Sequence, residues 1–139
     1  MTVRKFRTPV INRVEIVGNL TKDPELNFTS SNNTPVVNMR IASSRKFKTQ
    51  SGIKREEVCY VNVTAWMSLA QTVKKVLTKG DTIYVEGRLQ SRNWTGTAGE
   101  NKNTIEILAE KIQFLSKKDT NTNETEEVDE IFEASSQEN

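Results

Sequence analysis

The sequence predicts an all-β domain, a small five-stranded barrel with one helix between its third and fourth strands, followed by a disordered acidic C-terminal tail. Three observations lead there. Between residues 10 and 115, short runs alternating apolar with polar side chains are separated by turn residues. One segment in the middle has helical periodicity instead. From Lys117 onward the chain is Asn, Thr, Glu and Ser with almost nothing to bury. The 139 residues suffice for one domain plus an appendage, divided here as 1–116 and 117–139. No repeat is visible at a solenoid period.

A first strand is expected over Asn12 to Leu20, where Val14 and Ile16 alternate with Arg13 and Glu15. Asp23-Pro24 then forces a turn. After the polar cluster Thr29 to Thr34, a second strand fits Pro35 to Ser43 with Val37, Met39 and Ile41 on one face, and a polar, basic loop follows from Arg45 to Arg55. The third strand, Val58 to Trp66, has Cys59, Val61, Val63 and Ala65 on one parity. If those face a core, Tyr60 and Trp66 stand on the opposite face. Ser68 is the expected N-cap of the helix, with Gln71 three residues on. Leu69, Val73, Val76 and Leu77 form its apolar stripe, and Gly80 ends it. This helix is expected to plug one end of the barrel.

The fourth strand repeats the pattern, with Ile83, Val85, Gly87 and Leu89 inward and Tyr84, Glu86, Arg88, Gln90, Arg92 and Trp94 outward. The run Trp94 to Gly99 reads as a hairpin loop. The last strand returns from Thr104 to about Leu115, and the change in its apolar parity between Ala109 and Ile112 predicts a bulge. Phe28 and Phe114 are assigned to the core.

Charge is divided by position. Residues 1–118 carry twenty basic and ten acidic side chains, a net +10, whereas residues 119–139 carry eight acidic and no basic ones, a net −8. Such a split suits a domain that binds a polyanion, tethered to an arm that competes for the same surface. A single cysteine, Cys59, precludes an internal disulfide or a multi-cysteine zinc site, and without histidine there is no Ser-His or Cys-His nucleophile. No cofactor or metal is expected. Apolar runs such as Val58 to Val61 are far shorter than the roughly 18–20 residues that cross a bilayer. The basic start, Met1 to Arg7, leads into no apolar h-region. A soluble cytoplasmic protein is therefore expected, without a membrane partner.

A protein that must hold unpaired DNA regardless of sequence can use the phosphate on every nucleotide and the π-face of every base. Both means meet on one predicted surface. Tyr60, Trp66 and Trp94 are candidate stacking platforms, with Phe47 a fourth beside the basic loop, although Phe47 shares parity with Val37, Met39 and Ile41. Candidate phosphate contacts are Arg13, Arg45, Lys46, Lys48, Lys54, Arg55, Arg88, Arg92 and Lys102. The competing assignment for each aromatic is core packing, and for each cation a solvated surface.

At these residues the chain resembles the bacterial single-stranded DNA-binding protein family. The matching blocks are Asn12-Arg13-Val14 through Gly18-Asn19-Leu20, Asp23-Pro24-Glu25, the aromatic strand ending in Trp66, Ser68-Leu69-Ala70, Lys79-Gly80-Asp81, Tyr84-Val85-Glu86-Gly87-Arg88-Leu89 and Arg92-Asn93-Trp94. They cover nearly all of residues 11–115 in the family's order. The resemblance implies an OB fold, a homotetramer that wraps single-stranded DNA, no cofactor, and a place in the cytoplasm at the nucleoid or, for a phage protein, in the host. It puts the DNA-stacking aromatics at Phe47, Tyr60, Trp66 and Trp94. Family members commonly end in an acidic tip, Pro-Phe last, that docks onto replication and repair proteins. Asp129, Glu130, Ile131 and Phe132 resemble that tip, but the proline is missing and seven residues follow Phe132.

Three other functions compete. A metal-dependent nuclease needs converging carboxylates, whereas the domain's ten are scattered from Glu15 to Glu110. An interaction module on the same fold would have no use for four aromatics. An RNA chaperone of the OB class would prefer RNA over DNA of equal length.

Overall fold

The structure is a computed structural model that describes residues 7–116 and 130–133. Its elements in chain order are β1 (Val14–Leu20), β2 (Glu25–Phe28), β3 (Pro35–Lys48), β4 (Lys54–Trp66), α1 (Met67–Val76), β5 (Thr82–Thr95), β6 (Asn101–Ser116) and β7 (Glu130–Glu133). Hydrogen-bonded neighbours run β1-β5-β6-β4-β3, and β1 returns to pair with β3 through Asn19↔Ala42 and Leu20↔Ile41. That last pairing closes a five-stranded barrel. At the closure Gly18 is required, because a Cβ there would lie 2.8 Å from the carbonyl oxygen of Ala42.

Most of the alternating apolar residues meet inside, as their parity predicts; Leu89, expected inward, is exposed because β5 has run past the core there. Val37, Met39 and Ile41 of β3, Val63 and Ala65 of β4, Ile83 and Val85 of β5, and Ile107, Ala109, Ile112 and Phe114 of β6 form one buried cluster. α1 adds Leu69, Ala70 and Val73 to it, with Leu77 just beyond its end. The expected bulge is present. Glu86 pairs with Lys111 but Gly87 with Ala109, so Glu110 is the extra residue that shifts β6 by one position and swaps its inward set.

Several boundaries differ from the sequence reading, each for a physical reason. The first strand begins at Val14, and the Asn12 side chain pairs with Leu89 instead, donating to its carbonyl and accepting from its N–H, both at 2.9 Å. A short strand, β2, was not anticipated. It forms where the chain after Asp23-Pro24 folds back on β3, pairing Glu25↔Asn38 through Phe28↔Pro35. Phe28 lies at the outer end of this pair and is exposed rather than core.

Residues 45–55 are no loop: β3 and β4 stay paired from Val36↔Trp66 to Lys48↔Lys54 and form a ribbon closed by a turn at Thr49–Ile53. Cys59 keeps the inward parity but is exposed, since the ribbon has left the barrel there. Trp94 and Thr95 likewise belong to β5, and β6 begins at Asn101, so the second hairpin turns only through residues 96–100. Cross-strand pairing extends both hairpins past the point where the core ends.

The helix starts two residues early. Trp66 is its N-cap and makes no side-chain capping bond, so β4 runs directly into α1 and the reversal falls on Met67 at φ 60°. Ser68 therefore sits inside the first turn. Gly80 lies beyond the helix, which ends at Val76, in a turn held by Asp81, whose buried carboxylate accepts from the N–H of Thr78 at 2.9 Å. Asp23 accepts from the N–H of Lys79 at 2.8 Å and ties the first turn to this one.

Of the predicted acidic tail, residues 130–133 are not irregular: β7 pairs antiparallel with β6 from Lys111↔Glu133 to Phe114↔Glu130. The rest of the tail, Asp129 included, lies outside the described residues.

Candidate nucleic-acid interface

β4 and β6 run parallel and pair through Val63↔Ile107 and Thr64↔Leu108. Their N-terminal halves therefore leave the barrel at the same end, as one side of the β3–β4 ribbon and one side of the β5–β6 hairpin. The face turned away from the core runs without a break across these strands. Registers put Thr64 beside Leu108, and Leu108 opposite Arg88, on one surface. By the two-residue alternation this surface also carries Tyr60 and Trp66 of β4, Arg40 of β3, Arg92 and Trp94 of β5, and Lys102 and Glu106 of β6.

Tyr60 is 55% exposed and Trp94 45% exposed. A large aromatic left in water on a polar face is a ready stacking surface. Trp66 is half-buried where β4 meets α1. The Arg40 guanidinium lies 5.4 Å from the centre of the Tyr60 ring and donates to the Asn62 side-chain oxygen at 3.2 Å, which holds a cation over the platform. Phe47 occupies the other face of the ribbon, opposite Arg55 and half-buried, with Arg45 5.0 Å from its ring centre. Three of the four predicted platforms thus share one surface, and Phe47 does not.

The cations divide similarly. Lys46, Lys48 and Lys54 share the outer face of the ribbon with Tyr60, while Arg45 and Arg55 are on the face of Phe47. None of these five, nor Lys102, makes an ion pair among the described residues. The other three predicted phosphate contacts are paired. Arg13 reaches Glu15 at 3.0 Å and Glu86 at 3.1 Å, Arg88 reaches Glu110 at 3.3 Å, and Arg92 lies 3.8 Å from Glu106.

Two polar clusters shape the electrostatics. At the β1–β5 edge the Tyr84 hydroxyl lies 2.9 Å from Glu86 and 3.1 Å from Glu15, with one proton to give to either. Hydrogen bonding to Glu86, followed by partial desolvation and the bond to Glu15, pushes its pKa up to about 12. The hydrogen bond from Arg13, followed by the one from Tyr84, lowers the Glu15 carboxyl, and Glu15 in turn raises Arg13. In the second cluster Glu106 is only 4% exposed. Its Oε2 accepts from Thr64 Oγ1 at 2.9 Å and from Gln90 Nε2 at 2.8 Å.

Sequence reading missed Arg40, whose outward parity on β3 was a usable signal. It also missed the role of Glu106, whose burial depends on strands far apart in the chain.

Residues 11–115 match the profile of the Single-strand binding protein family. The single-stranded DNA-binding protein 2 of Chlorobaculum tepidum is 45% identical over 119 residues, 86% of this chain and 80% of the relative. Among solved structures, a Plasmodium falciparum SSB complex with ssDNA superposes with a TM-score of 0.71 at 17% identity, covering 80% of this chain and 100% of that one, a likeness of fold. A deletion mutant of the single-stranded DNA binding protein from Thermus aquaticus gives 0.68 at 31% identity, covering 78% of this chain and 52% of that one.

Proposed function

The chain belongs to the single-strand binding protein family, and on that premise we propose that it binds and protects single-stranded DNA without regard to sequence and without catalysis. The observation that carries this is the outer face on which Tyr60, Trp66 and Trp94 stand with cations that have no carboxylate partner among the described residues. Bases stack on the aromatics, each worth about 1–3 kcal/mol. The ribbon cations Lys46, Lys48 and Lys54, together with Lys102 on the second arm, hold the phosphates. Arg45, Phe47 and Arg55 meet strand that passes around the ribbon's other face. Arg13, Arg88 and Arg92 act at the rim, their charge shared with carboxylates.

The function serves replication, recombination and repair, the processes that expose single strands, in the bacterial cytoplasm or that of a phage host. The working unit is a homotetramer. Val17, Leu89 and Ile105, all exposed apolar residues on barrel strands, are the kind of surface a second copy covers. Static light scattering should give a mass near four chains, and a monomer at micromolar concentration would contradict the tetramer. Asp129 to Phe132 are the segment proposed to meet replication and repair proteins.

Titration of oligo(dT) against intrinsic Trp fluorescence tests the function directly. Quenching with tight binding that weakens as salt rises is expected, because bound phosphates release counterions. No response at low salt, or a preference for RNA of equal length, would refute it.

A further inference from the structure

Glu106 is out of place on a surface that receives a polyanion. A carboxylate is costly to bury unless it is hydrogen-bonded and paired. Here the bonds come from β4 through Thr64 and from β5 through Gln90, so one oxygen of a β6 side chain joins three strands. The two strands flanking β6 carry the two halves of the aromatic face, Tyr60 and Trp66 on β4 and Trp94 on β5. Beside Glu106, β4 and β6 share just two register pairs. The Thr64 bond therefore reinforces a seam with as few backbone register pairs as the β1–β3 closure.

The second oxygen faces Arg92. At 3.8 Å the guanidinium is too far to hydrogen-bond but close enough for a strong charge–charge contact. Arg92 is the only cation within 4.0 Å of Glu106 among the described residues. The two differ in exposure: the Glu106 side chain is 6% exposed and that of Arg92 58%. The buried partner is fixed by its other bonds, so the exposed one must come to it.

We infer that Glu106 is a positioning residue of the DNA-binding face, one that locks Gln90 and Thr64 in place and holds Arg92 back from the phosphates. This rests on the DNA-binding function proposed above. On this basis Arg92 spans the gap between Gln90 and Trp94 as part of the protein's own ion pair. The affinity of the face for the DNA backbone is thereby set below what its cation count implies. Glu106 restrains Arg92 alone; Arg88 and Arg13 have carboxylate partners of their own, and among the described residues Lys102 and the ribbon lysines have none.

The test is a double-mutant cycle on the full chain with oligo(dT), reading the slope of log affinity against log salt. Glu106→Gln keeps the shape and an oxygen for Thr64 but removes the charge. Freeing Arg92 for one more phosphate should steepen the slope by about 0.7, the single-strand value per contact, so affinity falls about fivefold further over a tenfold rise in salt. In an Arg92→Ala background the same substitution should leave the slope where it was. No steepening in a folded Glu106→Gln chain would overturn the inference. So would equal steepening in both backgrounds, since that reports direct repulsion of DNA by the carboxylate. If Glu106→Gln fails to fold, the exposed residues decide. Arg92→Ala should flatten the slope less than Lys102→Ala does, and equal flattening would overturn the inference. Wild-type binding of oligo(dT) is judged separately, so loss of the function and loss of this refinement are distinguishable.

Discussion

Trp94→Ala removes an indole that is 45% exposed, lies on the arm of β5 beyond the buried cluster, and stands opposite Lys102 on the outer face. Because Trp94 is not among the core residues, truncation should change stability by about 0.5 kcal/mol or less, as for other surface positions. Its effect on DNA is larger. One lost base stack is worth about 1–3 kcal/mol, which converts to a loss of affinity of about 5- to 140-fold. The side chain carries no charge, so the salt slope should stay at its wild-type value while the whole line moves down. Fluorescence polarisation of a labelled oligo(dT), repeated across a salt series, measures both quantities, and thermal melting confirms the fold. Unchanged affinity in a folded chain would remove Trp94 from the stacking face. A changed slope at unchanged high-salt affinity would mean that the residue acts through Lys102 instead.

Three further outcomes are expected. Gly87→Ala at the β6 bulge should destabilise the barrel by about 1–3 kcal/mol in chemical denaturation, because the new Cβ runs into the backbone carbonyl of Leu108; a chain as stable as wild type would show that the strands shift freely there. In a Tyr60→Phe chain, which leaves Tyr84 as the sole tyrosine, phenolate absorbance should rise at about pH 12. The folded value is raised above the ordinary 10, so the stability it contributes is complete below about pH 10 and lost as pH climbs towards 12; titration near pH 10 would refute the bonds to Glu86 and Glu15. Deleting residues 119–139, which carry a charge of −8, should tighten DNA binding at low salt and matter little at high salt. Phe132→Ala should reproduce none of that gain but should abolish capture of a replication or repair partner, and a deletion without effect at low salt would end the competition model.

The sequence by itself determined the barrel. Alternation over residues 14–20, 37–41, 61–65 and 83–87 depends only on the pleat, in which every second side chain must find the same core. The bulge was equally legible, since Ala109 and Ile112 cannot share a face without one extra residue between them. The same parity put Tyr60, Trp66 and Trp94 on the outside. Local rules failed where pairing carries a strand past its core. Arg45 to Arg55 is polar enough to be a loop, yet β3 and β4 remain registered to Lys48↔Lys54, because backbone hydrogen bonds extend a ribbon regardless of what its side chains bury. Ser68 had the chemistry of a cap, but β4 enters α1 without a linker and the turn falls on Met67.

Only the tertiary structure decided which cations are available. Arg13, Arg88 and Arg92 look no different in the sequence from Lys46 or Lys102, but β1, β5 and β6 bring Glu15, Glu86, Glu110 and Glu106 beside them. Charge pairing across a sheet depends on register between segments as far apart as residues 13 and 86, and a single strand's alternation contains no information about its neighbour. For the same reason Glu106 is one more outward polar residue when read along the chain. It becomes a buried junction of three strands once Thr64 and Gln90 close over it.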